Sequence, residues 1–467
     1  MEGECMEVAL KIDSRKVKPG DTFLALRGVD TDGHQYINKA IENGATKIIC
    51  EEGSYDVETI VVEDTLTYLI DYLKENYGRK IEKLKLIGIT GTNGKTTSAF
   101  LLHNALNKVG KKAAYVGTVG FYIDEKIRNL PNTTPNILEL YNIFLTCVER
   151  GVEYVVLEVS SHGLCRRRVE GLEFDYAVFT NLTQDHLDFH KTMEQYALAK
   201  QKLFHMLKPE GTAIVNADDK YKDLYLLPEN HNITYGFQEG DYQVIEHHMS
   251  HIHTTFTYRH LGEEYDVVSP LLGDYNIYNL LITIVILTEL GIDITTLLRV
   301  IPTLKAPAGR METVPYKTNN IIIDYAHTPD AIEKIITTVK PLTKGKIFVV
   351  FGCTGDRDRL KRPLMTDLVT KLVDYAIITI DDPHNEDPNQ IVDDMIKGLQ
   401  QSNYEVILDR GKAIARGIEL LQENDILLIL GKGHEEVIIY KDQRIPFNDR
   451  KEVEKYLKEK EMSGANM

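Results

Sequence analysis

Seven consecutive residues, Gly91, Thr92, Asn93, Gly94, Lys95, Thr96 and Thr97, bring two glycines, an amine and several hydroxyls to one turn. The backbone N–H groups of such a turn, helped by the positive end of a following helix dipole, converge on an anion. Phosphates suit that spot. Lys95 can reach β- and γ-phosphates and the Thr96 hydroxyl a Mg²⁺, the roles of the last two positions of a GxxxxGK[ST] loop. A strict match wants glycine at Ile89, whereas the sequence has Gly88 and Gly91, so the pattern alone leaves a plain tight turn as the alternative. The flanks decide between them. Leu84, Leu86, Ile87 and Ile89 read as a short buried strand, and residues 98–106 carry apolar side chains at helical period, which is the strand–turn–helix order that phosphate binding requires. Lys95 is therefore expected on a surface loop.

Further oxygen and nitrogen donors recur at later strand ends. VEYVVLEV, FDYAVFT and GTAIVN alternate with helical segments, the βαβ rhythm of a doubly wound parallel sheet. Ligands of such sheets bind at the carboxyl ends of the strands. VVLEVSSHG puts Glu158 at one such end, and VFTNLTQDHLDFH puts Asn181, Asp185, His186 and Asp188 past the next. These groups can bind Mg²⁺ or order its waters. Taken singly, a glutamate there is a surface residue; two polar clusters beside a phosphate loop read as a site.

The remaining chain must frame this region. Residues 1–83 read as a small α/β domain (DTFLALRG, ATKIICEE, ETIVVED), with Ser14, Arg15, Asp30, Thr31 and His34 on a loop that spacing alone marks as solvated. Residues 84–302 form the central phosphate-loop domain. Within it HIHTTFTYR, with Ile252, Thr254, Phe256 and Tyr258 on one face, predicts an antiparallel edge. Asn276 and Asn279, near the start of the next helix, read as caps. PTLKAPAGRME reads as a linker into residues 303–467, a Rossmann-like α/β domain. There NIIIDYAHTPD, KIFVVFGCTGDRDR, YAIITIDDPHNEDP, YEVILDRG and DILLILGKGHEE each run from a strand into a polar loop, so one rim should line a site. GxGxxG is absent, which disfavours a dinucleotide.

At 467 residues the chain is too long for one ordinary core, and its 43% hydrophobic and 27% charged content is that of a soluble globular protein. A formal charge of −16 argues against wrapping nucleic acid. The five cysteines show no CxxC spacing and read as reduced thiols. MEGECMEVALKIDSRK lacks an apolar stretch that would mark an export signal, and LLITIVIL is too short for a membrane span and reads as a buried helix, so a cytoplasmic protein is expected.

The ordered set GTNGKTT, NTTP, EVSSHG, TNLTQDHLD, YALAK, GDYNIYN, GRME, DYAHTPD, GDRDRLKRPLM and GKGHE, flanked by DSRKVKPGD and QRIPFNDR, closely resembles the Mur ligases, most of all the tripeptide-synthetase branch. The resemblance implies that ATP phosphorylates the terminal carboxylate of UDP-MurNAc-L-Ala-D-Glu, and that the amine of a third amino acid attacks the acyl phosphate. By the same resemblance Lys95, Glu158, His186 and Lys200 are catalytic. ATP binds the 91–97 loop with Asn276, Asn279, Arg310 and Asp324. One Mg²⁺ is held by Thr96 and Glu158, and a second by His186 with Lys200, the latter as a carbamate. The UDP-muramoyl peptide meets Ser14, Val29, Asp30, Thr31, Asn132, Thr133, Thr134, Ser160, Arg166 and Arg168; Arg166 stands where some members have Gln.

The acceptor pocket is matched by Arg357, Asp381, Asp382, Pro383, His384, Gly431 and Glu435. Members that add meso-diaminopimelate carry DNPR, whose arginine forks onto the acceptor's second carboxylate. Here the segment is DDPH. With Asp381, Asp382 and Glu386 expected around His384 and Glu435 adding charge, the expectation is a free diamino acid with a cationic end, L-lysine or L-ornithine; meso-diaminopimelate is the alternative. A monomer is expected, with no nucleic-acid or membrane partner, whose three domains close on the ligands. Folylpolyglutamate synthase shares the architecture, but DSRKVKPGD, EVSSHG and GDRD speak against it. A non-catalytic nucleotide switch lacks its NKxD-type guanine segment here and would leave the charged C-terminal rim unexplained.

Overall fold

The computed structural model describes residues 7–28, 31–250 and 253–464. Strands β1 (Leu10–Lys11), β2 (Thr22–Leu24), β3 (Lys47–Cys50) and β4 (Glu58–Val61) pair in sequence order, all parallel. Their two-residue period sorts the side chains. Phe23 and Ile48 pack with Ile37 and Ala40 on one face, while Leu24 and Ile49 join Leu69 and Leu73 of the helix Thr65–Ile81 on the other. Asp64 caps that helix by accepting from the N–H groups of Leu66 and Thr67. Its Leu69, Leu73 and Tyr77 belong to the same core as one face of the next sheet, which docks the first unit onto the second.

The second sheet contains β5 (Lys85–Thr90), β6 (Ala113–Gly117), β7 (Gly120–Tyr122), β8 (Lys126–Arg128), β9 (Tyr154–Glu158), β10 (Phe174–Phe179), β11 (Leu207–Asn216), β12 (His231–Gly236), β13 (Tyr242–Met249), β14 (Thr254–His260) and β15 (Glu263–Ser269). They lie in the order β15-β14-β13-β12-β11-β10-β5-β9-β6-β7-β8. The stretch from β13 to β6 is parallel, and both ends are finished by antiparallel strands. Parallel strands must be covered on both faces, which is why they read as near-continuous apolar runs. Leu86, Val155, Leu157, Ala177 and Phe179 face the core shared with the first unit. Ile87, Ile89, Val156 and Val178 face the helices Lys95–Lys108 and Asp274–Glu289. The LLITIVIL run lies inside the second of these and is buried throughout. Thr254, Phe256 and Tyr258 are buried on one face of β14 as expected, while Ile252 falls outside the described residues. Asn276 and Asn279 do not cap: the cap position is Gly273, with no side-chain bond.

The third sheet holds β16 (Glu312–Tyr316), β17 (Asn319–Asp324), β18 (Ile347–Cys353), β19 (Tyr375–Ile380), β20 (Tyr404–Val406) and β21 (Ile426–Leu430), in the order β16-β17-β21-β18-β19-β20. Only β16 is antiparallel. A hairpin of β22 (Val437–Tyr440) and β23 (Gln443–Pro446) follows. No helix among the described residues is long and apolar enough to cross a membrane.

Candidate active site

β5 lies between β9 and β10, so the loop after it opens at the middle of the parallel rim. Gly94 has φ 85°, a left-handed conformation, and a Cβ there would come 2.6 Å from Asn279 Oδ1. The loop is pinned from β10: Asn93 N donates to Asn181 Oδ1 (3.0 Å), while Asn181 Nδ2 (3.1 Å) and Thr180 Oγ1 (2.7 Å) donate to Asn93 O. Ser98 Oγ donates to Asn279 Oδ1 (2.9 Å), and Asn279 Nδ2 to Asn276 Oδ1 (3.0 Å), which ties both asparagines to the loop's far side. Lys95 is not on a surface loop. It is the first residue of its helix, half-buried, with its ammonium folded onto Gly91 O (2.9 Å) and Thr92 O (2.8 Å). Burial lowers its pKa. Lys200 Nζ donates to the same Gly91 O (2.7 Å) and lies 4.3 Å above the Tyr196 ring. It is 1% exposed, and burial together with the Lys95 charge holds its pKa well below that of a free lysine.

Glu158, fully buried, is surrounded by donors. Its Oε1 accepts from Tyr115 OH and from Thr118 N (3.0 Å), and its Oε2 from the hydroxyls of Thr96 (2.8 Å) and Thr118 (3.1 Å). Gly117 permits this approach, since a Cβ there would overlap Glu158 Oε1. From Glu158 the network runs outward. Thr118 Oγ1 is 3.1 Å from Thr133 Oγ1, and Thr134 Oγ1 donates to Glu158 O (2.9 Å) and lies 3.0 Å from Ser160 Oγ. Arg168 Nη1 donates to Thr134 O (2.9 Å). Asn132 is exposed beside them and Arg166 half-buried after the short helix Ser161–Cys165.

His186 has φ 53° and starts the turn Leu187–His190. Its ring meets the His162 ring edge-on at 4.7 Å, and Nε2 is 3.3 Å from Asp185 Oδ2. Burial pushes its pKa down to about 3, which leaves a neutral imidazole with a lone pair. Ser14 and Thr31 lie on the first unit, the former buried and the latter exposed; Val29 and Asp30 fall outside the described residues.

The carboxyl rim of the third sheet faces this one. Arg310 Nη2 is 3.4 Å from Thr96 Oγ1, and its guanidinium lies 4.6 Å over the Tyr325 ring. Asp324 accepts from the N–H groups of Met311 (2.7 Å) and Ala326 (2.8 Å), fixing the end of the linker. Asn93 Nδ2 donates to Asp330 Oδ2 (2.7 Å), and Lys361 Nζ to Asp185 Oδ1 (2.6 Å). Burial would raise the Asp185 pKa, but His186, Lys361 and His327 outweigh it and hold the carboxyl below its ordinary range. Arg357, exposed on the loop after β18, adds to the burial and to the Arg166 charge that lower the His162 pKa.

Behind Arg357 the acidic groups differ from the expected arrangement. Lys432, 0% exposed, puts its ammonium 2.8 Å from Asp382 Oδ1, 2.8 Å from Glu435 Oε2 and 3.4 Å from Asp381 Oδ1. Asp382 Oδ1 also accepts from Ile439 N (2.9 Å). Glu386 is bound by Arg359 (2.6 Å) and by the buried Arg362 (2.7 Å). These acids therefore do not surround His384 as a free anionic wall; they are partnered by cations from elsewhere in the sequence. His384 itself, φ 50°, is held by backbone bonds, its N–H to Ile439 O (2.9 Å) and its O from Lys441 N (2.7 Å). Pro383 is buried, and Gly431 (φ 112°) follows β21 beside Asp381 Oδ2.

Sequence reasoning missed Tyr115, Thr118, Lys361 and Lys432. Thr118 follows β6 as Glu158 ends β9, so the strand-end rule applied once more would have found it. Lys361 and Lys432 stood inside recognised motifs but without a role.

The three-sheet frame has counterparts in known proteins. Residues 8–73 match the Mur ligase family, catalytic domain; residues 89–287 the Mur ligase middle domain; and residues 309–433 the Mur ligase, glutamate ligase domain. A UDP-N-acetylmuramoyl-L-alanyl-D-glutamate--2,6-diaminopimelate ligase of Clostridium botulinum is 42% identical over 96% of this chain and 95% of its own. One of the same name from Bacillus cereus is 40% identical over 95% and 92%. A solved structure of a ligase of that name superposes with a TM-score of 0.68 at 32% identity, covering 99% of this chain and 98% of the other. The MurF ligase of Thermotoga maritima, solved with ADP, shares the fold at 20% identity with a TM-score of 0.72, over 98% and 100% of the two chains. With identity of this order along nearly the whole of both chains, this protein belongs to the Mur ligase family, and its relatives are of the MurE type.

Proposed function

We propose that this chain is an ATP-dependent amide ligase that joins a free diamino acid to UDP-MurNAc-L-Ala-D-Glu in the cytoplasm, acting as a monomer. The observation that carries the reading is the meeting of two rims: a phosphate loop on the central sheet and a charged rim on the third sheet, bridged at Thr96–Arg310, Asn93–Asp330 and Asp185–Lys361. ATP lies along the 91–97 loop, with Asn276, Asn279, Arg310 and Asp324 also contacting the nucleotide, Arg310 beside Thr96. Lys95 leaves its two carbonyls for the β- and γ-phosphates, where its charge offsets that of the transferring group. The peptide's terminal carboxylate attacks the γ-phosphorus and ADP leaves. The acceptor amine, having shed a proton, then attacks the acyl carbon, and the phosphate leaves as the amide forms. Ser14 and the 29–31 loop hold the uridine end, while Asn132, Thr133, Thr134, Ser160, Arg166 and Arg168 hold the peptide.

The residues present fit Mg²⁺. The Thr96 hydroxyl and Glu158 carboxylate are adjacent hard oxygen donors, and the neutral His186 and the buried Lys200 lie on the same rim. Burial and the Lys95 charge lower the Lys200 pKa, which favours the uncharged amine, the form that adds CO₂ to become a carbamate. Bound there, the ions would supply positive charge to the phosphates as they shift.

His384, standing where a forked arginine would meet a second carboxylate, favours L-lysine or L-ornithine as acceptor, gripped through Arg357. A second reading, meso-diaminopimelate, is favoured by the names of the relatives and by Lys432, which removes much of the repulsion an acidic wall would exert on a carboxylate. Phosphate release with ATP, UDP-MurNAc-L-Ala-D-Glu and a panel of L-lysine, L-ornithine, meso-diaminopimelate and L-glutamate tests both. Release with at least one of the diamino acids is expected. No release with any of them overturns the function.

A further inference from the structure

Three carboxylates, Asp381, Asp382 and Glu435, have oxygens within 4.8 Å of one another, a grouping able to hold a cation. The place is already filled by Lys432. Its ammonium touches all three and is wholly enclosed. The three acids are not equivalent: the side chains of Asp381 and Asp382 are 4% and 8% exposed, whereas that of Glu435 is 29% exposed. Glu435 is thus the member that reaches the cleft. One of its oxygens is on Lys432, the other 3.4 Å from Tyr325 OH, and its main-chain O accepts from Asn448 Nδ2. The neighbouring Arg410 spends its donors on Asp449, Ile380 O and Leu430 O, and its charge reaches Asp381 without a hydrogen bond.

We propose that Lys432 is the residue that sets the charge selectivity of the acceptor pocket, a built-in cation that fixes Glu435 in place and decides how negative a face the incoming side chain meets. Three carboxylates against one ammonium leave an excess of negative charge, which suits an acceptor ending in an ammonium. Without Lys432 that excess would be larger, and an acceptor bringing a further carboxylate would be repelled more strongly. With Lys432 present the face is mild enough to admit either. Burial pushes the Glu435 pKa up to about 7 against the pull of Lys432, so the lysine also governs how much of that charge is present near neutrality. Lys432 is a positioning residue: it meets no solvent and acts through Glu435.

The inference rests on the proposed diamino-acid ligation, and the experiment separates the two. Steady-state kinetics with L-lysine and with meso-diaminopimelate are measured for wild type, Lys432→Met, Lys432→Arg and Glu435→Gln, and for the double variant Lys432→Met/Glu435→Gln, in which no excess carboxylate is added. Lys432→Met should move the kcat/KM ratio towards L-lysine by about tenfold, through the acceptor KM, with the ATP KM unchanged. Lys432→Arg should keep the wild-type ratio, and the double variant should return towards it. If Lys432→Met does not fold, the same shift is read in Lys432→Gln, which removes the charge while keeping a hydrogen-bond donor for the three acids. An unmoved ratio in an active protein overturns the inference alone. A wild type that uses neither acceptor overturns the functional reading and this inference with it.

Discussion

The two facing rims hold their polar groups by different means. On the central sheet, Glu158 is satisfied by three neutral side chains and a backbone N–H, and Lys95 and Lys200 by carbonyls of the loop they serve. Among the described residues none of the three forms an ion pair, so these groups are oriented without being cancelled. On the third sheet, charge is met by charge: Lys432 among three acids, Arg362 on Glu386 and Asp394, Arg410 on Asp449. The phosphate rim is built to act on a ligand's charge. The acceptor rim is first built to balance its own.

That contrast can be broken from either side, and the largest effect belongs to the balanced rim. Arg410 and Asp449 are both fully buried and joined by two bonds of 2.7 and 2.8 Å. Asp449→Ala strands a guanidinium in the core and should cost about 3–5 kcal/mol of stability, read from denaturant midpoints. A loss below about 1 kcal/mol would mean that the pair is not the support it looks to be. On the phosphate rim, Lys95→Ala should leave the unfolding midpoint in place while ligation falls by about 10² to 10³, the usual consequence of losing one contact to transferring charge. Wild-type turnover in that variant would remove the phosphate-loop assignment. Lys200→Ala should lose activity that acetate restores in part, with mass spectrometry of the wild type under CO₂ as the direct check on the carbamate.

A smaller change is expected from His384→Arg, which restores a fork to the hairpin-held position and should move acceptor preference towards meso-diaminopimelate by about tenfold. An unchanged preference would show that residue 384 does not face the side-chain end. Smallest is the acid response of the balanced rim. Hydrogen bonds from Arg362 and then Arg359 outweigh burial and hold the Glu386 carboxyl down at about 2, against about 4.5 in the unfolded chain. The unfolded state therefore binds the proton more readily, and this pair's stabilisation is present above pH 4.5 and lost as the pH falls towards 2. Glu386→Gln should flatten the midpoint-against-pH curve in that window; an unaltered slope would contradict the pairing.

The same contrast explains what could be read in the amino-acid order. The phosphate loop was legible because its parts are local: glycines, lysine and threonine act within a few positions of one another, and Asn181 and Glu158 sit at strand ends that apolar runs announce. The sheets were legible for the same reason, since each buried strand carries its own pattern. DDPH was misread as a free acidic wall because the neutralising cation lies about fifty positions on, in GKGHE, and is brought back only by the parallel order of β18, β19 and β21. Arg362 likewise stood in a quoted motif with no hint that it turns inward to Glu386. Tyr115 was overlooked because a tyrosine in a β-rich run is an ordinary strand residue until the fold brings Glu158 to it.

The antiparallel finish at the two ends of the central sheet bears on the protein's life in a crowded solution. A parallel sheet that simply stopped would present a row of unpaired N–H and C=O groups, a template on which a second chain could add. Here the outermost strand on one side, β15, carries Glu263, Glu264 and Asp266, and on the other β8 carries Lys126 and Arg128, with Asp124 and Glu125 just before it. A copy presenting its own β15 to the β15 border meets like charge, and β8, three residues long, leaves little ladder to extend. The sheet at the heart of the molecule can therefore run to eleven strands and still end.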